Sequence, residues 1–249
     1  MPGFPFLRNA GEKVATITCC PQGDAGLLLP MMWMVVFLTL LSPALLGQTL
    51  DAVVPTHANP QPTRLTIADL KEYESLPAAR KHLLELALAV LNDFPWLPYL
   101  DGGAEPEVGG FDCSGAMYFV MRKASLDPPR SSAAQCAWLK ENGRLHEVAV
   151  DATDEKDPSL AGLKPGDLLF WSKPGSSADG PAITRIHHVA MFLGTEKKDG
   201  HPVIINATDG RSYRGRKANG YGVYDFRVPK ADSPSRLTGY GTPPGIGVE

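Results

Sequence analysis

The 249-residue sequence predicts an α+β fold in which helices come first and pack on an antiparallel β-sheet. Apolar residues recur at helical spacing in the first half of the chain, for example through residues 83–91, and the period changes to two in the second half, as in residues 188–193. The strand-like segments are joined by short connections, which favour antiparallel neighbours over long crossovers.

Residues 1–47 are predicted to be a signal peptide or a membrane anchor. Residues 27–46 are almost entirely apolar and a small residue, Gly47, follows them, which is typical of a secretory signal. The preceding region is long and holds only two basic residues, Arg8 and Lys13. Two alternatives therefore stay open: a true start at Met31 or Met32, or an uncleaved anchor close to the roughly 20 residues that span a bilayer. The expected location is periplasmic or extracellular, with membrane attachment only if the segment is retained.

Residues 48–65 are predicted to be a linker, because three prolines interrupt them. A domain is predicted over residues 66–230. It opens with a short helix, which Thr66 and Asp69 start in capping-box spacing. A second helix follows Pro77. Its apolar stripe at helical spacing predicts a face buried in the core: Leu83, Leu84, Ala87, Leu88 and Leu91.

The next helix is predicted to begin at Asp112, which places Cys113 in its first turn. Unpaired amides and the helix dipole favour a thiolate at that position, so Cys113 is the candidate nucleophile. Cys136 lies within a short helix capped by Ser131 or Ser132, among Ala and Trp, and is predicted to be a buried, inert thiol. One face of the Cys113 helix carries Cys113, Met117, Val120, Met121 and Ala124.

Strands are predicted in the second half of the chain, in the segments "LKPGDLLFW", "HHVAMFLG", "HPVIINATDG" and "YGVYDFRVP". The last of these ends near residue 229. Residues 231–249 are rich in Ser, Pro and Gly and are predicted to be a flexible tail.

A reactive cysteine needs a base, and the base needs an orienting partner. His188 begins an alternating strand and Asn206 lies on the next strand, so helix-on-sheet packing can bring both to Cys113. A lone histidine that heads a strand is more often structural, and an Asn near a turn more often serves the local backbone. His187 and His188 point to opposite faces, so only one of them can face Cys113, and spacing does not choose between them.

Six segments occur in an order that resembles the NlpC-type (NlpC/P60) cysteine peptidases of bacterial cell walls. They are "PYLDGG", "FDCSG", "PRSSAAQ", "LKPGDLLFW", "HHVAMFLG" and "VIINATDG", and they cover about residues 95 to 210. The resemblance implies a papain-like NlpC fold with the nucleophile at a helix N-terminus. It also implies that Cys113 is the nucleophile, His188 the base and Asn206 the third triad member, at a position where many members have histidine.

The resemblance further implies substrate-binding roles for Tyr99, which would line the active site, and for Asp112 and Ser114, which would recognise a free amine. Asp and Ser also suit helix capping, and both interpretations stay open. The basic segment "RSYRGRK", residues 211–217, is either a solvated loop or a wall of the substrate groove that meets carboxylates.

The resemblance implies a secreted or periplasmic cysteine endopeptidase. Its substrates would be peptidoglycan stem peptides or muropeptides, cut at the γ-D-Glu–diamino acid bond through a Cys-His-Asn triad and a thioester, with a preference for peptides that have a free amine. The alternatives are an N-acyl amidase or acyltransferase on the same scaffold, and a non-catalytic domain that binds wall fragments.

Composition narrows the expected partners. The sequence holds no CxxC or HExxH motif, so no metal or other cofactor is expected. A net charge of −3 gives no indication of a nucleic-acid partner. The protein is expected to be a monomer.

Overall fold

The computed structural model describes residues 62–175 and 182–247. These ranges lie within one compact unit of the chain. The predicted signal or anchor at residues 1–47 and most of the predicted linker lie outside the described residues. None of the helices in the described ranges has the length and apolar character that a membrane span requires.

The described chain has three α-helices: α1 (Ala78–Asp93), α2 (Cys113–Lys123) and α3 (Ser132–Glu141). The predicted caps of the last two helices are confirmed, because Asp112 and Ser131 accept hydrogen bonds from the backbone amides of Gly115 and Ala134. The predicted core stripe of α1 is confirmed as well, since all five of its residues are buried: Leu83, Leu84, Ala87, Leu88 and Leu91.

The predicted helix after Thr66 is wrong. The segment forms two 3₁₀ turns instead, Ile67–Asp69 and Tyr73–Ser75. The Asp69 carboxylate does accept hydrogen bonds from the backbone amide and the hydroxyl of Thr66, both at 2.8 Å. Leu70 then turns into extended geometry, bridges Glu196 and is fully buried. Burial of this one side chain therefore ends the helix that the local cap begins.

The strands of the described chain are β1 (Ala104–Glu105), β2 (Gly110–Phe111), β3 (Leu145–Glu147), β4 (Leu168–Ser172), β5 (Ile186–Thr195), β6 (Pro202–Thr208), β7 (Ser212–Tyr213), β8 (Arg216–Lys217), β9 (Gly220–Asp225) and β10 (Arg236–Gly241). Six of them form the main sheet, all antiparallel, in the order β3-β10-β4-β5-β6-β9, and this confirms the α+β class. The other four form two short hairpins, β1 with β2 and β7 with β8.

The prediction of a flexible tail at residues 231–249 is wrong, because β10 lies inside the sheet between β3 and β4. A register shift between Leu237 and Gly239 breaks the alternation that would mark a strand in the sequence. Gly241 permits close approach of its neighbour, since a Cβ there would lie 2.0 Å from the carbonyl oxygen of Arg144. The other boundary also differs from the prediction, because Thr63 already pairs with Val223.

The two faces of the sheet pack against different partners. The face of Val189, Met191 and Leu193 joins the core formed with the helices, whereas Ala190 and Phe192 join a second cluster that includes Trp171. The predicted alternation along β5 is therefore confirmed.

Gly115 fixes where the first turn of α2 lies. A Cβ at this position would meet the carbonyl oxygen of Gly103 at 1.9 Å, so only glycine allows the helix to start directly against this loop. The start of α2 is thereby held in place, and Cys113 is its first residue.

Candidate active site

Cys113 is a free thiol with 6% of its surface exposed. Its Sγ lies 3.9 Å from the carbonyl oxygen of His187. Burial raises the pKa of the thiol, while hydrogen bonds from the Val189 amide and from the amides at the helix start act against this rise. The structure thus adds a desolvation cost that the sequence did not reveal, and this cost favours the thiol over the thiolate.

His188 on β5 and Asn206 on β6 are joined through their side chains. Nδ2 of Asn206 lies 2.7 Å from Nε2 of His188. Asn206 is fully buried, and its Oδ1 has no hydrogen-bond partner. A 180° turn of the amide would place Oδ1 on a protonated Nε2 and leave Nδ1 of the imidazole free to accept a proton.

The cysteine meets this pair at the backbone. Its sulfur contacts the His187 carbonyl and the Val189 amide, which lie on either side of His188. Among the described residues, the contacts of Cys113 include no hydrogen bond to an imidazole. They join the sulfur to the backbone of β5, while the His188 side chain lies with Asn206 and with Trp171, which belongs to the second cluster. Hydrogen bonds between catalytic groups often tighten only when substrate binds.

The two adjacent histidines have different surroundings. His187 is exposed, and its Nε2 lies 3.1 Å from Oγ of Ser235. His188 is partly buried, and its Nε2 lies 2.7 Å from Nδ2 of Asn206. Burial holds the pKa of His188 well below its usual value, and the positive charge of Arg211 adds to this effect.

The Asp112 carboxylate is fully occupied within the chain. Its Oδ1 accepts hydrogen bonds from the Gly115 amide at 2.6 Å and the Ser114 hydroxyl at 3.0 Å, and its Oδ2 accepts one from the Gly102 amide at 3.1 Å. The Arg130 guanidinium binds both oxygens, at 3.1 and 2.7 Å. Of the two interpretations of Asp112, capping is confirmed, and an amine would have to displace one of these donors.

Arg130 was missed by sequence reasoning, although it lies in the quoted segment "PRSSAAQ". The signal that could have found it is charge balance, because a carboxylate buried at a helix start needs a cation nearby. Arg130 also donates to the Ser114 hydroxyl at 3.0 Å and to the backbone carbonyl of Gly103 at 3.1 Å. It therefore ties the Cys113 turn to the loop before it.

Tyr99 is half-buried, and its backbone pairs with Phe111, two residues before the cysteine. Burial raises the pKa of Tyr99 to about 12, and the charges of Cys113 and Asp112 add to this rise. The phenol therefore stays protonated at neutral pH and lies within electrostatic range of the sulfur.

Trp171 and Arg211 complete the surroundings of His188. The indole ring centroid of Trp171 lies 5.4 Å from the imidazole centroid. The guanidinium carbon of Arg211 lies 4.3 Å from the indole centroid, and its Nε lies 3.4 Å from Nε2 of His188. Trp171 gave no sequence signal beyond an apolar strand, whereas Arg211 belongs to the basic segment predicted as a loop or a groove wall.

Replacing Asn206 with alanine is expected to lower kcat by roughly 10- to 100-fold with little change in KM, because the change removes orientation and leaves the proton acceptor in place. Steady-state kinetics on a stem-peptide substrate measure this. Asn142→Ala is the matched control, since Asn142 only caps α3 and lies on the surface. A loss as large as that of His188→Ala would contradict an orienting role.

Comparison with known proteins gives one family. Residues 97–220 match the model of the NlpC/P60 family. Two Bacillus subtilis proteins are each 33% identical: a bifunctional muramidase/DL-endopeptidase, CwlT, over 97 residues, and a gamma-D-glutamyl-L-lysine dipeptidyl-peptidase, over 105 residues. The matches cover 39% and 42% of this chain, and they span 22% and 27% of the length of those relatives.

A solved structure of a peptidoglycan hydrolase from Mycobacterium tuberculosis, RipB, is 22% identical with a TM-score of 0.38. The match covers 68% of this chain and 69% of that one.

Proposed function

Because the chain belongs to the NlpC/P60 family through residues 97–220, we propose that it is a cysteine peptidase that hydrolyses an amide bond in peptidoglycan stem peptides. The observation that carries this proposal is the 2.7 Å bond between Asn206 and His188, beside a buried cysteine at the start of α2. A thiol, an imidazole and an orienting amide are the groups that acyl transfer through a cysteine requires.

The proposed reaction begins when His188 takes the proton of Cys113 and the sulfur attacks the scissile carbonyl carbon. Backbone amides at the start of α2, including that of Cys113, stabilise the resulting oxyanion. The C–N bond then breaks, and the amine leaves with the proton from His188. The acyl group remains on Sγ as a thioester. Water hydrolyses this thioester, with His188 as the base, and restores the thiol.

The proposed scissile bond joins γ-D-Glu to the diamino acid. The names of two relatives support this choice, since one is a bifunctional muramidase/DL-endopeptidase and the other a gamma-D-glutamyl-L-lysine dipeptidyl-peptidase. Tyr99, Asp112 and Ser114 form the proposed subsite for the amino-terminal part of the peptide. The chain is proposed to act outside the cytoplasm, because its substrate is wall material and residues 27–46 are typical of an export segment.

The free peptide L-Ala–γ-D-Glu–L-Lys and its α-linked isomer test this proposal. Mass spectrometry after incubation is expected to show L-Ala–D-Glu and free lysine from the γ-linked peptide alone, with no product from Cys113→Ala protein. Equal cleavage of the α-linked isomer, or release of alanine, would contradict the proposed bond. An N-acetylated γ-linked peptide is expected to react more slowly if Asp112 exchanges an internal donor for the substrate ammonium. Equal rates would reject that exchange and leave the peptidase proposal standing.

A further inference from the structure

A cation lies against the proposed base. Arg211 comes just before β7, and its Nε lies 3.4 Å from Nε2 of His188. Its guanidinium carbon lies 4.3 Å from the centre of the Trp171 indole. Trp171 is the direct partner of His188 in the β4–β5 register. These two contacts hold the guanidinium beside the imidazole.

Arg211 differs in its partners from other partly or fully buried arginines of the described chain. Arg80 and Arg130 each form an ion pair with a carboxylate, whereas Arg144 and Arg236 donate hydrogen bonds to backbone carbonyl groups. For Arg211, the part of the chain that the structure describes supplies no carboxylate within ion-pair distance, and its neighbours are the indole and the imidazole. A cation without a counter-ion repels a second positive charge and attracts a negative one.

The contact between Arg211 and Nε2 of His188 also affects the charge that the imidazole can carry. The Nε–H of Arg211 can only donate a hydrogen bond, and it points at Nε2 of His188. The imidazolium would place a second positive charge beside this guanidinium, whose Nε lies 3.4 Å from Nε2, so the arrangement disfavours the imidazolium on grounds of charge.

We propose that Arg211 is a positioning residue for the base: it keeps His188 unprotonated and favours negative charge on Cys113, so that hydrolysis persists at a lower pH than it would without this cation. The proposal rests on the proposed function for its kinetic test. Arg211 acts through His188 and Cys113, and no contact with substrate is needed.

Of the other charged groups around the site, His187 also lowers the pKa of His188, after burial and Arg211. The groups that face His188 and Arg211 are His187 on β5, Cys113 on α2 and Tyr224 on β9. Two charges lie one step further out: Asp112 raises the pKa of Cys113, and Lys173 lowers the pKa of His187. Burial lowers the pKa of Arg211 to about 10, which leaves the guanidinium charged throughout the acidic and neutral range. Burial is the first cause of the low pKa of His188, and the charge of Arg211 is the second.

The dependence of kcat/KM on pH tests the proposal in wild-type, Arg211→Gln and Arg211→Lys proteins. Without the cation, the pKa of His188 and the pKa of Cys113 are both expected to rise. The acid limb of the profile, where kcat/KM falls as the pH is lowered, then moves to higher pH. The expected shift is roughly one pH unit, which is a tenfold change in the proton-binding constant. Arg211→Lys keeps the charge and is expected to keep the limb near its wild-type position. Arg216→Gln is the matched control, because it removes a charge from an exposed position of the same basic segment.

Two results would overturn the proposal. One is that Arg211→Gln lowers kcat/KM by the same factor at every pH and leaves the acid limb in place. A purely structural role of Arg211, through its contact with Trp171, predicts that result. The other is an equal shift in Arg216→Gln. The pH dependence of Cys113 alkylation by iodoacetamide gives a second readout that needs no substrate, and its midpoint is expected to rise in Arg211→Gln. If the γ-linked peptide is not cleaved, the proposed function fails, and alkylation still decides the role of Arg211.

Discussion

Replacing Cys113 with alanine is expected to abolish peptide hydrolysis, with a loss on the order of 10⁴-fold or more in kcat/KM, because no other group can form the thioester. Cys113 is the first residue of α2, and its sulfur lies against the backbone beside His188. Alanine keeps the helix and its Asp112 cap, so circular dichroism and the melting temperature should change little. Release of product from the γ-linked peptide, followed by mass spectrometry, measures the effect.

Cys136→Ala is the control for this prediction. Cys136 lies in α3 with 1% of its surface exposed, and burial raises the pKa of its thiol to about 12. It should therefore react slowly with iodoacetamide and contribute nothing to turnover. Wild-type protein and Cys136→Ala are expected to lose activity at the same rate on alkylation. Residual hydrolysis in Cys113→Ala at more than a hundredth of the wild-type rate would contradict the assignment of the nucleophile.

The sequence predicted the candidate site where a residue type and a local pattern coincide. Cys113 followed from the polar start of a helix, and Asn206 from its place on the strand after His188. The neighbours Arg130, Trp171 and Arg211 could not be assigned in this way, because each reaches the site through tertiary packing from another element. The pKa of Cys113 could not be predicted either, since it depends on burial, which opposes the helix amides.

The fold was predictable to a similar extent. Strong periodicity located α1, α2 and β5, because a long apolar stripe or a regular alternation outweighs local exceptions. The two 3₁₀ turns after Thr66 depend on the burial of Leu70, which the local sequence does not encode. β10 was missed because its register shift and its glycines remove the period of two. Both errors arise where tertiary contacts decide the local conformation.

His188→Ala is expected to lower kcat/KM by about 10³- to 10⁴-fold, because a thiol with a raised pKa stays protonated at neutral pH when its base is absent. The sign of the pH effect follows from this. Raising the pH ionises the thiol without a base, so Cys113 alkylation in His188→Ala should recover in alkaline buffer. Activity and alkylation measured from neutral to alkaline pH test both parts. An unchanged alkylation profile would show that His188 does not act on the sulfur.

His187→Ala separates this role from the mere presence of an imidazole near the cysteine. His187 is exposed and contacts Ser235, and only its backbone carbonyl approaches Sγ. Alanine keeps that carbonyl, so kcat/KM is expected to stay within roughly threefold of wild type, as for a surface substitution. An inactive His187→Ala protein beside an active His188→Ala protein would reverse the assignment of the base. Such a result would also remove the reason for Asn206 as its partner, because the 2.7 Å bond of Asn206 is to His188.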